Sequence, residues 1–137
     1  MQIITINFWA VLVAAVVNMV VGSLWYGPLF GKMWKSLMGF TDESMKNMKL
    51  SPTQAMSMGF VTSLVMAYVL GHFVIIAGVI GVAGAWELAF WIWLGFIATV
   101  SLGGFLWEGK PFKLFVLNAV EQLVALFLMA VVLVLWK

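Results

Sequence analysis

The sequence predicts an all-α integral membrane protein: a bundle of four transmembrane helices with a short cytoplasmic interfacial helix between spans 1 and 2. Three observations lead there. Of 137 residues, 65% are hydrophobic and 9% charged, and the mean hydropathy is +1.14, more apolar than the surface of a water-soluble domain of this size tolerates. Four apolar stretches, 6–26, 53–80, 86–106 and 112–136, are each long enough to cross roughly 30 Å of hydrocarbon at about 1.5 Å per residue. The lysines gather in alternate connections, leaving one membrane domain that occupies residues 1–137.

The first stretch follows residues 1–7, which hold no Lys or Arg, and no small-residue cleavage site precedes Trp25. It is therefore expected to stay as a span and not to be removed as a signal. In the connection after it, Phe30, Met33, Trp34, Leu37 and Met38 recur at helical spacing beside Lys32 and Lys35, which predicts an interfacial helix ended by Gly39. Thr41 is the expected N-cap of a further turn carrying Asp42 and Glu43, and Ser51 and Pro52 mark the start of the second span.

Lys32, Lys35, Lys46 and Lys49 lie in the first connection and Lys110 and Lys113 in the third, whereas the connection at 81–85 is uncharged. By the positive-inside rule the first and third connections face the cytoplasm, with both termini outside the plasma (inner) membrane of a prokaryote. Trp9, Trp86 and Trp136 form an outer aromatic belt, and Trp25, Tyr26, Trp34 and Trp107 an inner one. Trp91 and Trp93 sit deeper, as core residues or a pocket wall. The partners this implies are membrane lipids, with anionic headgroups at the cytoplasmic face, and further copies of the chain, because four short spans bury little area alone.

Small residues recur at four-residue spacing: Ala10, Ala14, Asn18 and Gly22 in span 1, Gly59, Ser63, Ala67 and Gly71 in span 2, Gly95, Thr99 and Gly103 in span 3. Such faces let helices approach closely in lipid, where little hydrophobic force acts between them. An internal repeat also shows at a shift of 82 residues, matching Phe8, Trp9, Gly22, Leu24, Trp25, Gly27 and Phe30 to Phe90, Trp91, Gly104, Leu106, Trp107, Gly109 and Phe112. Read as a duplicated hairpin, it predicts a pseudo-two-fold axis along the membrane normal.

Glu121 is the anomaly. A charged side chain near mid-bilayer costs about 2.5 to 3.5 kcal/mol on insertion scales, so it needs a partner, a proton or a purpose. Counted at about 1.5 Å per residue, Asn18 lies about 12 Å above Tyr26 and Glu121 about 12 Å above Lys113, with Thr62, Ser63 and Thr99 at similar heights. Asn118 and Gln122 extend this polar layer along the fourth helix. In one reading Glu121 is a protonated acid hydrogen-bonded to Asn18 or a threonine, fixing helix register. In the other it exchanges a proton or binds a cationic ligand, as intramembrane carboxylates of transporters do.

The chain has no cysteine, which excludes disulfides, thiolate metal sites and a thiol nucleophile. All seven basic residues are lysine, so the bidentate fork that favours nucleic-acid recognition is missing. His72 stands alone in the second span, more in keeping with a core residue than with a metal ligand. Met45, Met48, Met56 and Met58 suit flexible interfacial packing. With no phosphate-cradling glycine loop, no Ser/His/acid set and Glu87 and Glu108 at opposite boundaries, neither an enzyme nor a cofactor or metal is expected.

The run NMVVGSLWYGPLFGKMW, from Asn18 to Trp34, followed by Gly39, resembles the signature of a prokaryotic four-span membrane family, domain of unknown function 1761. MAYVLGHF from Met66, WLGFIAT from Trp93 and WEGKPFKLFVLNA from Trp107 are similar to the family's remaining segments. The resemblance implies a small four-span membrane protein with no activity, cofactor or catalytic residue to carry over. It also implies an aromatic residue or histidine at the place of Glu121 in many relatives, so chemistry at Glu121 would not be family-wide. Two functions remain open: binding or transport of a small apolar or cationic solute at the polar layer, or an accessory role docking lipids or a larger complex.

Overall fold

The computed structural model describes residues 4–136. Four of its helices are long and apolar enough to cross a membrane, Phe8–Leu29, Pro52–Ile76, Gly81–Trp107 and Phe112–Leu135, and the described residues form no strand. The protein is an all-α integral membrane protein built as a four-helix bundle.

Helix α1 (Phe8–Leu24) starts at Asn7, whose side-chain oxygen accepts from the backbone N–H groups of Trp9 and Ala10. It runs into one π-helical turn, Trp25–Leu29, containing Pro28. Proline offers no N–H to the carbonyl one turn back, and Gly27 leaves helical geometry at φ −104°, ψ −105°. The bend redirects the chain into α2 (Gly31–Met38), which Gly39 closes in the left-handed conformation at φ 73°. Gly31 has no alternative here, because a Cβ on it would lie 2.7 Å from the Tyr26 carbonyl oxygen.

Helix α3 (Asp42–Lys46) and helix α4 (Pro52–Ile76) each begin with a reciprocal capping box, Thr41 with Ser44 and Ser51 with Gln54. α4 stops at Ile76, short of the expected 80. Gly78 and Gly81, both at positive φ, make a tight turn whose intervening Val79 and Ile80 are as apolar as a span. α5 (Gly81–Trp107) consequently starts five residues before the expected 86. It passes through a π-helical stretch at Trp93–Ala98. Gly109, at φ 70°, then turns the chain into α6 (Phe112–Leu135).

α6 lies at the centre, packed against α1, α4 and α5, while α1 also packs along α4. Small residues set the closest approaches. Ala10, Ala14 and Ala15 of α1, Ala67 of α4 and Ala85 and Ala89 of α5 meet Leu126, Met129, Ala130 and Leu133 of α6 in one core. Gly71 is buried within van der Waals reach of Ile6 and Leu133, and Gly59 faces the Met19 thioether.

α5 departs from the expected stripe. Gly95 and Thr99 are exposed, and a Cβ on Gly103 would meet only Trp107 of its own helix. Its buried small residues are instead Ala85, Ala89 and Ala98. A π turn carries one residue more than an α turn, rotating the later half of the helix by about 100° and taking the four-residue stripe off the packing face.

The bundle does not follow the two-fold exchange that the internal repeat suggests. That exchange maps the α1–α6 pair onto α5–α4, yet α1 and α6 pack along their lengths while α5 leans on α6 and only marginally on α4. The two hairpins are thus not interchangeable in the bundle, whatever ancestry their shared Trp and Gly residues record.

Candidate functional site

The polar layer divides into local pairs, with one member left over. Asn18 donates its amide to Ser63 Oγ at 2.7 Å, and Ser63 donates to the Gly59 carbonyl at 2.8 Å. Thr62 and Thr99 spend their hydroxyls on carbonyls of their own helices, Gly59 and Gly95. Thr99 thereby faces outward and not into the layer. His72 is bound through Nδ1 to the Tyr68 carbonyl at 2.9 Å, with its ring edge-on to Tyr68. Nine residues beyond Ser63 on α4, it stands about 14 Å further along the helix than the layer.

Glu121 is the residue left over. Its side chain is buried, the residue being only 7% exposed, and among the described residues it has neither a hydrogen bond nor an ion pair. The expected bond to Asn18 or a threonine does not form, since those groups have nearer partners. Glu121 Oε1 lies 3.8 Å from where a Gly22 Cβ would be, so the carboxyl packs against α1 at Gly22.

Beside the carboxyl is a cavity of about 110 Å³, bordered by Asn18, Met66, Ile97, Glu121, Gln122, Ala125 and Leu126. Its polar groups are one carboxyl and two amides, and the rest of the wall is apolar. At about 30 Å³ per water, it offers room on the order of three or four water-sized groups.

Below the cavity, towards the Lys110 end, further polar contacts link the helices. Tyr26 donates its hydroxyl to Asn118 Oδ1 at 2.7 Å, and Ser101 donates to Gln122 Oε1 at 3.4 Å. Trp93 Nε1 donates to the Ala119 carbonyl at 2.8 Å, fixing the π-helical part of α5 against α6. Tyr26 and Ser101 did not emerge as site residues from sequence. The signal for Tyr26 was present, since Asn18, Gly22 and Tyr26 share one face at four-residue spacing, but its place in the aromatic belt masked it. Ser101 enters only because the π turn rotates α5.

A family model described as protein of unknown function (DUF1761) matches residues 9–134. The chain belongs to the DUF1761 family. Neither a curated protein nor a solved structure matches it. In this DUF1761 protein the WYGPLFGK segment that carried the resemblance has a definite structural task. Gly27 and Pro28 make the bend, Gly31 lets α2 pass the Tyr26 carbonyl, and the bend presents Tyr26 to Asn118. The WEGKPF segment likewise supplies Gly109 for the left-handed turn and Pro111 before the first turn of α6. Both segments therefore hold the end of the bundle beneath the Glu121 cavity.

Proposed function

We propose that the protein binds a small monovalent organic cation of the alkylammonium class at Glu121 and carries it across the membrane, with no catalytic step. The reading rests on one observation: a buried carboxyl without a hydrogen-bond donor borders a partly open cavity between the helices. A charge in such a place has to be neutralised by a proton or a counter-ion, because the surrounding side chains do not compensate it. One carboxylate balances one positive charge. Asn18 and Gln122 stand in the same wall, where their amide oxygens can accept from an ammonium N–H, and Met66, Ile97 and Leu126 suit a short alkyl group. Among the described residues no group of three or more His, Asp and Glu converges, which favours a monovalent over a divalent cation.

A dry layer in which Glu121 is tied to Asn18 would favour the accessory-protein reading. Asn18 is tied to Ser63 instead, which favours solute binding. In the orientation that goes with this proposal, the lysine-bearing connections face the cytoplasm of a prokaryote, α2 lies in the inner headgroup region, and the exposed faces of the helices meet lipid or a further copy.

The test is uptake and binding of radiolabelled methylammonium by purified protein in proteoliposomes, comparing wild type with Glu121→Gln at equal folded amounts. Saturable binding lost in Glu121→Gln supports the proposal. Equal signals in both proteins, or none in either, overturn it.

A further inference from the structure

We infer that the aqueous route to the Glu121 cavity runs from the Lys110 end of the bundle and not from the Trp136 end, through a groove between α2, α5 and α6 whose inner gate is the Gln122 side chain. This deepens the solute-binding proposal and rests on it for the identity of the traveller, but not for the route.

The groove has a volume of about 340 Å³. Its mouth carries Glu108 and Lys110, paired at 3.6 Å and both well exposed, and Trp34 of α2 forms its outer wall. Its inner wall is polar, made by Ser101, Asn118 and Gln122. Gln122 borders this groove and the Glu121 cavity alike. Adjacent residues on a helix point about 100° apart, so Glu121 faces α1 while Gln122 stands at the partition between the two spaces. The bond that holds it there, from Ser101 at 3.4 Å, is long, and a long hydrogen bond is a weak one. Ser101, Asn118 and Gln122 make a polar row that leads from the Lys110 end of the groove to the buried acid.

The other end is shut. Ala14, Ala67, Met129 and Ala130, towards the Trp136 end of the core, are all 0% exposed. Along the bundle axis the cavity is thus closed towards the Trp136 end, with Gln122 between it and the groove at the Lys110 end.

The chain has no cysteine, so single-cysteine variants need no prior replacement. Ser101→Cys, Gln122→Cys and Thr99→Cys are compared in vesicles of both orientations, treated with a membrane-impermeant trimethylammonium thiosulfonate, with Lys110→Cys marking its own side. Ser101→Cys and Gln122→Cys are expected to react from the Lys110 side at least about tenfold faster than from the other, and lipid-facing Thr99→Cys from neither, because the reacting thiolate needs water. Reaction from the opposite side, or none at Ser101→Cys and Gln122→Cys in folded protein whose Lys110→Cys control labels, overturns the route. Methylammonium should slow labelling of Gln122→Cys more than that of Ser101→Cys. One-sided labelling without that protection upholds the route and removes the solute; Glu121-dependent methylammonium binding without labelling upholds the site and removes the route.

Discussion

Tyr26 donates its hydroxyl to Asn118 across 2.7 Å although 92 positions separate them. The bond joins the π-helical bend after α1 to the fourth span one turn below Glu121. Tyr26→Phe removes the donor and leaves the Asn118 oxygen unpaired, a loss of about 1 kcal/mol by analogy with polar contacts in water and membranes. Thermal unfolding in detergent should show the lowered midpoint, and an unchanged midpoint would mean that the bend is held by packing alone.

Gly31→Ala should cost more. The new methyl meets a backbone oxygen at 2.7 Å, which no side-chain rotation relieves, so α2 has to shift. Overpacking of this kind costs about 1 to 3 kcal/mol. Gly95→Ala is the control, since Gly95 is exposed and nothing lies within 4 Å of its Cβ position, and the two melting curves should separate clearly.

Two polar residues at similar height should behave differently on truncation. Asn18→Ala breaks an interhelical bond to Ser63, worth about 0.6 and at most about 1.7 kcal/mol in membrane proteins. Thr99→Ala removes only a bond to its own helix on an exposed face, and should leave the unfolding curve where it was. If both variants melt alike, the polar layer is not divided as described.

Glu121→Gln should leave stability within about 0.5 kcal/mol, because no hydrogen bond is broken and the amide is nearly isosteric. A carboxyl that fixed helix register would behave otherwise. Equal midpoints together with lost methylammonium binding separate a functional acid from a structural one, and a large drop in midpoint would assign it to the framework.

The spans and their helix starts were legible in the sequence because apolar length and capping chemistry are local: Thr41 and Ser51 cap where their side chains say they should. The turn at Gly78 to Gly81 was not, since Val79 and Ile80 carry no polarity to interrupt a hydropathy profile. Glu121 stood out as costly, but its isolation could not be read. Whether Asn18 reaches Glu121 or Ser63 depends on how α1 and α4 rotate against each other, and that is settled by alanines and glycines whose own signal is the absence of a side chain. The outward turn of Thr99 and inward turn of Ser101 were likewise hidden, because a π turn leaves composition unchanged.

That π turn makes the phase of α5 a matter of counting. Ala85 and Ala89 dock the first half of the helix, while Ile97 and Ser101 belong to the cavity and groove only through the surplus residue between the halves. Substitutions edit one wall position at a time, but deleting one residue from 93–98 would turn the entire later half like a key by about 100°, carrying its wall residues off the cavity and groove without altering any remaining side chain. Variation in length, more than in identity, is therefore the change to which this side of the cavity is most sensitive.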